Sequence, residues 1–466
     1  MSQTPVNTSF RRVGVPLWLN VGLWAQPTLA ILFSSAILIR LAFFFHTSDD
    51  AFITFRYVHN LSAGEGLVYN PGEKVLGTTT PLFSLLLCLP GILRLDFIFW
   101  GKILGSLGGA LSCCMVYLIV KSERSNGEAL LAGLLCALSH NLAVWSSSGM
   151  ETGVFTCLAL SSIYLYINNR ETSCGILLGL TILTRPDGAL LFIIIFLREL
   201  LYSRRIPWRL LVTCGVILSA WGGFSIYYYG SLLPASAVAK AVAYRGTPEA
   251  TSLGQKLGIF FSKPDKIIFS ALALWAVTRM NFINHRGSVL YVWAALHYAA
   301  ILVSSGHIFD WYYSPVLPAY LVLVAVGTVD LAGRTFKRAR FKIPYVPQVI
   351  ITILILFSIA RLGYTWIQYR TVQRTYQEVH QAIGLWLKEN SESGQRILVG
   401  DIGYIGYYSG RRIIDWMGLV SPEILPYHQQ GRPEEVPLEL SPDFIVLGAY
   451  DYLFDRTAKQ PWFNEK

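Results

Sequence analysis

Apolar runs separated by short polar loops fill this chain from about residue 24 to about residue 365. A helix that crosses a bilayer needs about 20 mostly apolar residues. The first run, about 24–45, follows Arg11 and Arg12 and is too long for the core of a cleavable signal, so a retained span with a cytoplasmic N-terminus is expected. Later spans are predicted at about 98–120, 128–146, 209–229 and 346–365, with others between them. The run 81–93 is too short to cross and reads as a helix lying along the outer membrane face. The stretch 174–201 is broken at Thr184-Arg185-Pro186-Asp187-Gly188 and reads as two short spans meeting at the outer side. With about eleven spans in all, the basic loops around Lys121 and Arg124, Arg198 to Arg209, Arg279 and Arg286, and Arg334 to Lys342 all fall on one side.

The pattern changes near residue 366. Val372, Tyr376, Val379, Ile383 and Leu387 stand at helical spacing, predicting an amphipathic helix over 371–391. Residues 396–400 and 443–448 read as strands. The expected fold is therefore an all-α polytopic membrane domain over residues 1–365, with a first external loop at 46–97, followed by a small extracytoplasmic α/β domain over 366–466.

Composition agrees with a membrane protein: 53% of residues are hydrophobic, only 14% are charged, and the mean hydropathy is +0.46. Thirteen Trp and 25 Tyr suit interfacial aromatic belts. A net charge of +10 invites a nucleic-acid partner, but the basic residues lie in short loops between apolar runs, which excludes that reading. The seven cysteines sit in or beside apolar runs without metal-ligand spacing, and none follows Cys214; they read as small buried hydrophobes. Gly105, Gly108 and Gly109 read as close-packing positions between spans. No phosphate-binding loop, metalloprotease helix or metal-spaced His/Cys cluster occurs, which disfavours a nucleotide-driven pump or a nucleotide-sugar donor and leaves a donor carried in the membrane.

Chemistry-bearing residues concentrate in 46–80. Asp49 and Asp50 stand at the mouth of the first span, where carboxylates are costly unless paired or used. Sugar transfer from a lipid phosphate needs a carboxylate to take the acceptor proton and cations to stabilise the departing phosphate. The pair supplies the first; alternatively, both merely cap the following helix. Arg56 reaches a phosphate or pairs with Asp50, and Tyr57, His59 and Lys74 of the same loop are further substrate-binding candidates. Glu151 is either a second active-site carboxylate or a residue favoured by a helix dipole. Arg185, beside the helix break, needs an anion, with Asp187 as its alternative partner. Lys240 and His307 bind substrate or are solvated side chains, and Trp311, Tyr312 and Tyr313 stack on sugar or form an interfacial belt.

The segments 49–57 and 64–73 together resemble the first external loop of GT-C fold glycosyltransferases, and are most similar to the branch with the mycobacterial terminal arabinofuranosyltransferases. Gly149-Met150-Glu151-Thr152, 183–188, Asp401-Ile402-Gly403 and 406–412 extend the resemblance along the whole chain. The resemblance implies a bacterial inner-membrane enzyme that moves a sugar, arabinofuranose or another pentose or hexose, from a polyprenyl-phosphate donor to a cell-envelope glycan or lipid. It further implies inversion at the sugar and an active site on the extracytoplasmic face. The family's essential acidic residue falls on Asp49, and a second falls on Glu151. More distant relatives, the protein O-mannosyltransferases and the aminoarabinose transferase of lipid A, carry Asp-Glu where this chain has Asp-Asp, which leaves open which carboxylate is the base. Some members use a divalent metal and others none, and the sequence leaves both open. A mannosyl- or glucosyltransferase is the alternative within the class. Outside it stands a lipid-linked-sugar flippase or transporter, disfavoured because there is one clear helix break and no internal repeat.

Overall fold

The computed structural model describes residues 26–243, 253–254, 264–280, 285–303, 309–338, 345–448, 452–460 and 463. Helices dominate. Phe97–Glu123, Trp208–Tyr229, Leu317–Arg334 and Gln348–Asn390 are each long and apolar enough to cross a membrane. Shorter apolar helices stand beside them, among them Pro27–Ala42, Thr152–Ile167, Glu171–Thr184 and Ser288–Val303. The single span expected at 128–146 is instead two helices, Asn126–Leu138 and His140–Ser147, bent by 55°. Ser139 causes the break: its hydroxyl accepts from Leu142 N at 3.4 Å and so caps a new helix. The break near residue 185 stands as expected, between Glu171–Thr184 and Gly188–Tyr202.

Glycine sets the closest approach in the bundle. A Cβ on Gly108 would lie 2.7 Å from the backbone of Gly153, so Phe97–Glu123 and Thr152–Ile167 touch backbone to backbone. Helix Pro81–Ile92 keeps Leu85, Leu86, Leu89 and Ile92 exposed, the apolar face that a helix resting on lipid would carry.

One expectation fails at the C-terminal end. The predicted last span and the amphipathic helix are one continuous rod over Gln348–Asn390, with a π-type stretch at Tyr376–Gln381. Three parallel strands follow: β1 (Arg396–Val399), β2 (Arg412–Asp415) and β3 (Phe444–Val446), in the order β2-β1-β3. Ile397 pairs with Ile413 on one side and Phe444 on the other. β2 gives no strand signal in the sequence, since Arg412–Asp415 is only four residues long, with a charge at each end.

The alternation of the strands builds two cores. Ile397, Val399 and Ile413 pack with Tyr57, Leu67 and Tyr69 of the first loop, whereas Leu398 and Ile414 pack with Trp416, Ile424 and Val436. The sheet is thereby fastened onto the 46–80 segment. Beside it, buried Asp415 accepts from Met417 N at 2.9 Å and Val420 N at 3.1 Å. Burial pushes its carboxyl up to about 7, so the stability it contributes is full below about pH 4 and falls as pH rises through 7. Asp415→Asn would set an amide NH2 against one of those donors, at an expected cost of about 1–3 kcal/mol. Thermal unfolding of the detergent-purified protein reads this as a lowered midpoint and a flatter dependence on pH.

Candidate active site

Helix Asp49–Ser62 starts directly after the turn that ends Pro27–Ala42, so its first two residues are the carboxylate pair. Ser48 N donates to Ser148 O at 3.0 Å, which brings the Gly149–Glu151 corner alongside. The pair is divided in function by its partners. Asp49 caps a helix, but not its own: Oδ1 accepts from Tyr404 N at 2.8 Å and Oδ2 from Gly403 N at 3.1 Å, at the start of Tyr404–Ser409. Burial, with Asp401 and Asp50 adding to it, pushes the Asp49 carboxyl up to about 7 against those two N–H bonds.

Asp50 makes no hydrogen bond or ion pair among the described residues. Burial raises its pKa, opposed by the charge of Lys240 and aided by that of Asp401. Lys240 stands on helix Ala235–Ala243, which is tied to the first loop by Ala235 N donating to Leu76 O at 2.7 Å. Its ammonium donates to the Tyr312 hydroxyl at 2.9 Å and lies 5.5 Å from that ring's centre. Burial pulls the ammonium's pKa down, but Tyr312 and Asp50 outweigh it and hold the value above the ordinary lysine range.

Behind this pair lies a buried ionic group. Arg185 Nη1 is 3.3 Å from Glu151 Oε1, and its Nη2 is 3.0 Å from Asp187 Oδ2. The guanidinium also faces the Tyr312 ring at 5.7 Å and the Phe155 ring at 5.3 Å. His297 joins from Ser288–Val303, with Nε2 3.2 Å from Tyr312 O and 3.9 Å from Asp187 Oδ2. Asp50, Lys240, Tyr312, Arg185 and Glu151 therefore act on one another as one cluster. The sequence reading missed His297, although a histidine within an apolar run is a visible signal.

On the Asp49 side the wall is aromatic. Tyr376 stacks on Tyr404 at 5.5 Å, and Phe52 lies 4.1 Å from Tyr404, with Tyr407 and Tyr408 beside it. Gln373 braces this wall, donating to Tyr404 Oη at 2.9 Å and accepting from Thr47 N at 2.8 Å.

Other candidates stand elsewhere. Among the described residues Arg56 meets no carboxylate: Nε donates to Tyr69 O at 2.8 Å, Nη1 to Gly406 O at 2.5 Å, and Nη2 to Arg411 O at 2.5 Å and Asn70 Oδ1 at 3.2 Å. All three nitrogens are committed to protein oxygens, so Arg56 joins the first loop to the C-terminal region. Tyr57 is buried and used likewise, donating to Val75 O and accepting from Gly77 N, each at 2.9 Å. Trp311 is packed between Trp145 and Phe309, with ring centres 4.9 and 4.3 Å away. His59 is exposed beside Tyr407, and Lys74 is exposed over the Tyr228 ring. His307 lies outside the described residues.

Solved structures supply the name of this architecture. ArnT from Cupriavidus metallidurans, bound to undecaprenyl phosphate, superposes with a TM-score of 0.61 at 12% identity, over 88% of this chain and 89% of that one. This is the GT-C fold. The Archaeoglobus fulgidus oligosaccharyltransferase, in complex with an inhibitory peptide and a dolichol-phosphate, also shares the GT-C architecture, with a TM-score of 0.53, 13% identity and coverage of 84% and 65%. In sequence, a terminal beta-(1->2)-arabinofuranosyltransferase of Mycobacterium tuberculosis is 29% identical over 227 residues, 42% of this chain and 35% of that protein. The chain thus spans about a third of that relative's length. Residues 366–463 match a family described as a domain of unknown function (DUF8728).

Proposed function

We propose that this GT-C protein transfers a sugar from a polyprenyl-phosphate donor to a hydroxyl of a cell-envelope glycan or lipid, on the extracytoplasmic face of the bacterial inner membrane. The observation that carries the reading is Asp50: a carboxylate without a partner among the described residues, facing the charge of a half-buried lysine, at the start of the helix that follows the first span. The undecaprenyl phosphate bound to ArnT and the dolichol-phosphate bound to the oligosaccharyltransferase support a lipid phosphate as donor. The mycobacterial relative supports arabinofuranose as the sugar, with mannose and glucose as the alternatives. The basic loops, read as cytoplasmic, support the orientation.

The chemistry follows from the cluster. The acceptor hydroxyl gives its proton to Asp50 as its oxygen attacks the anomeric carbon. The bond from that carbon to the phosphate oxygen breaks, and its electrons leave on the lipid phosphate. Lys240, which spends one N–H on Tyr312, has two more to offer that phosphate. Attack opposite the leaving group inverts the anomeric centre. Asp49 holds the loop at 403–404 against the pair, while Arg185 fixes Glu151 and Asp187 as the rear wall.

Saturable binding of undecaprenyl phosphate, followed as a rise in unfolding midpoint of the detergent-purified protein, tests the reading. Lys240→Met is expected to weaken that binding about tenfold or more, the worth of a charge-assisted contact of roughly 1.5–3 kcal/mol. A midpoint indifferent to the lipid would sink the proposal.

A further inference from the structure

Arg40 is an arginine without a counter-charge. It stands in the last turn of Pro27–Ala42 and is fully buried. Its Nη1 donates to Ala36 O at 3.0 Å and its Nη2 faces Cys113 Sγ at 3.5 Å, while Nε has no partner. Among the described residues no carboxylate lies within ion-pair distance of it. A guanidinium does not shed its proton in a protein, so burial is not relieved by neutralisation as it is for lysine. An unpaired buried charge is strongly unfavourable and demands an anion.

The surroundings are built to receive one. Arg40 lines a small cavity, with room for about one water-sized group, together with Gly109, Ser112, Ser146, Thr152, Thr156 and Ser314. Gly109 leaves room for the guanidinium, since a Cβ there would come within 2.5 Å of Nε. Thr152 Oγ1 is buried and also lacks a partner. The other hydroxyls already donate: Ser112 to Gly108 O, Ser146 to Leu142 O, Thr156 to Thr152 O and Ser314 to Asn141 Oδ1. Free donors therefore come from Arg40 and Thr152, and the remaining lining oxygens are acceptors. That suits a single monatomic anion better than an oxyanion, which is larger and whose further oxygens would face acceptors.

We infer that Arg40, Thr152 and the cavity between them bind one halide-sized monovalent anion inside the helix bundle. Its lining shares no residue with the transfer site, although Thr152 directly follows Glu151, and the inference does not depend on the function proposed above.

Unfolding midpoints of the detergent-purified full chain, measured at fixed ionic strength while bromide replaces gluconate, test it. The wild type is expected to gain stability saturably with bromide, and Arg40→Gln to lose that response entirely. Thr152→Val keeps the guanidinium and removes one donor, so its half-saturation should move at least severalfold to higher bromide. A wild-type midpoint indifferent to bromide, or an unchanged response in Arg40→Gln or Thr152→Val, overturns the site.

Discussion

Asp50→Asn is expected to lower sugar transfer by about 10²- to 10⁴-fold, the range over which a positioned proton acceptor acts, while binding of the lipid phosphate persists. The amide has nearly the shape of the carboxylate but no basicity, and no protein hydrogen bond is lost with the charge. Asp49→Asn is different in kind. Its side chain accepts from both Gly403 and Tyr404 N–H groups, so the amide would set its NH2 against one of them, costing roughly 1–3 kcal/mol and loosening the 403–404 loop. The first variant therefore loses turnover at wild-type stability, and the second loses both. Burial raises both carboxyls, Asp49 to about 7, and transfer needs them ionised. The rate should accordingly rise with pH along a limb displaced above the ordinary carboxylate range, and Asp49→Asn should move that limb. A flat profile over pH 5–8 would contradict the assignment.

Arg56→Met is expected to destabilise the protein by about 1–3 kcal/mol, the cost of withdrawing charge-assisted donors from buried neutral oxygens. The guanidinium is 4% exposed and lies 4.2 Å over the Tyr69 ring. Without it, Arg411 O loses its guanidinium donor, whereas Tyr69 O keeps Asn60 and Gly406 O keeps Ser409 and Gly410 N. Arg56→Lys should recover little, since one ammonium cannot reproduce a planar fork reaching oxygens on two sides. Limited proteolysis would show cleavage after residue 390 rising together with the lowered unfolding midpoint. If Arg56 served the donor phosphate instead, Arg56→Lys would retain stability and lose only lipid affinity.

That contrast marks what the sequence could disclose. Asp49-Asp50 beside an apolar run, and Arg185-Pro186-Asp187 inside one, are legible because a bilayer makes charge costly, so their presence alone signals a role. The packing glycines are legible for the same kind of reason, since helix contact in lipid favours small residues. Arg56 is not. Nothing local tells an arginine that meets a phosphate from one that meets carbonyls 350 residues away. The division of labour in the pair was equally hidden, because it depends on two N–H groups from the far end of the chain. Ser139, an ordinary serine in an apolar run, breaks a predicted span because a hydroxyl can cap a new helix there. The continuous rod over Gln348–Asn390 was divided in the reading because its composition turns polar midway, whereas helix geometry runs on regardless of what surrounds it.

The decisive measurement supplies polyprenyl-phosphate arabinofuranose, mannose and glucose, each radiolabelled in the sugar, to proteoliposomes of the wild type and of Asp50→Asn together with a cell-envelope acceptor extract. Label that leaves one lipid and appears in the acceptor with the wild type, but stays on the lipid with Asp50→Asn, is the expected result. Label that remains lipid-linked in both while crossing the vesicle membrane would make the protein a carrier of lipid-linked sugar rather than a transferase.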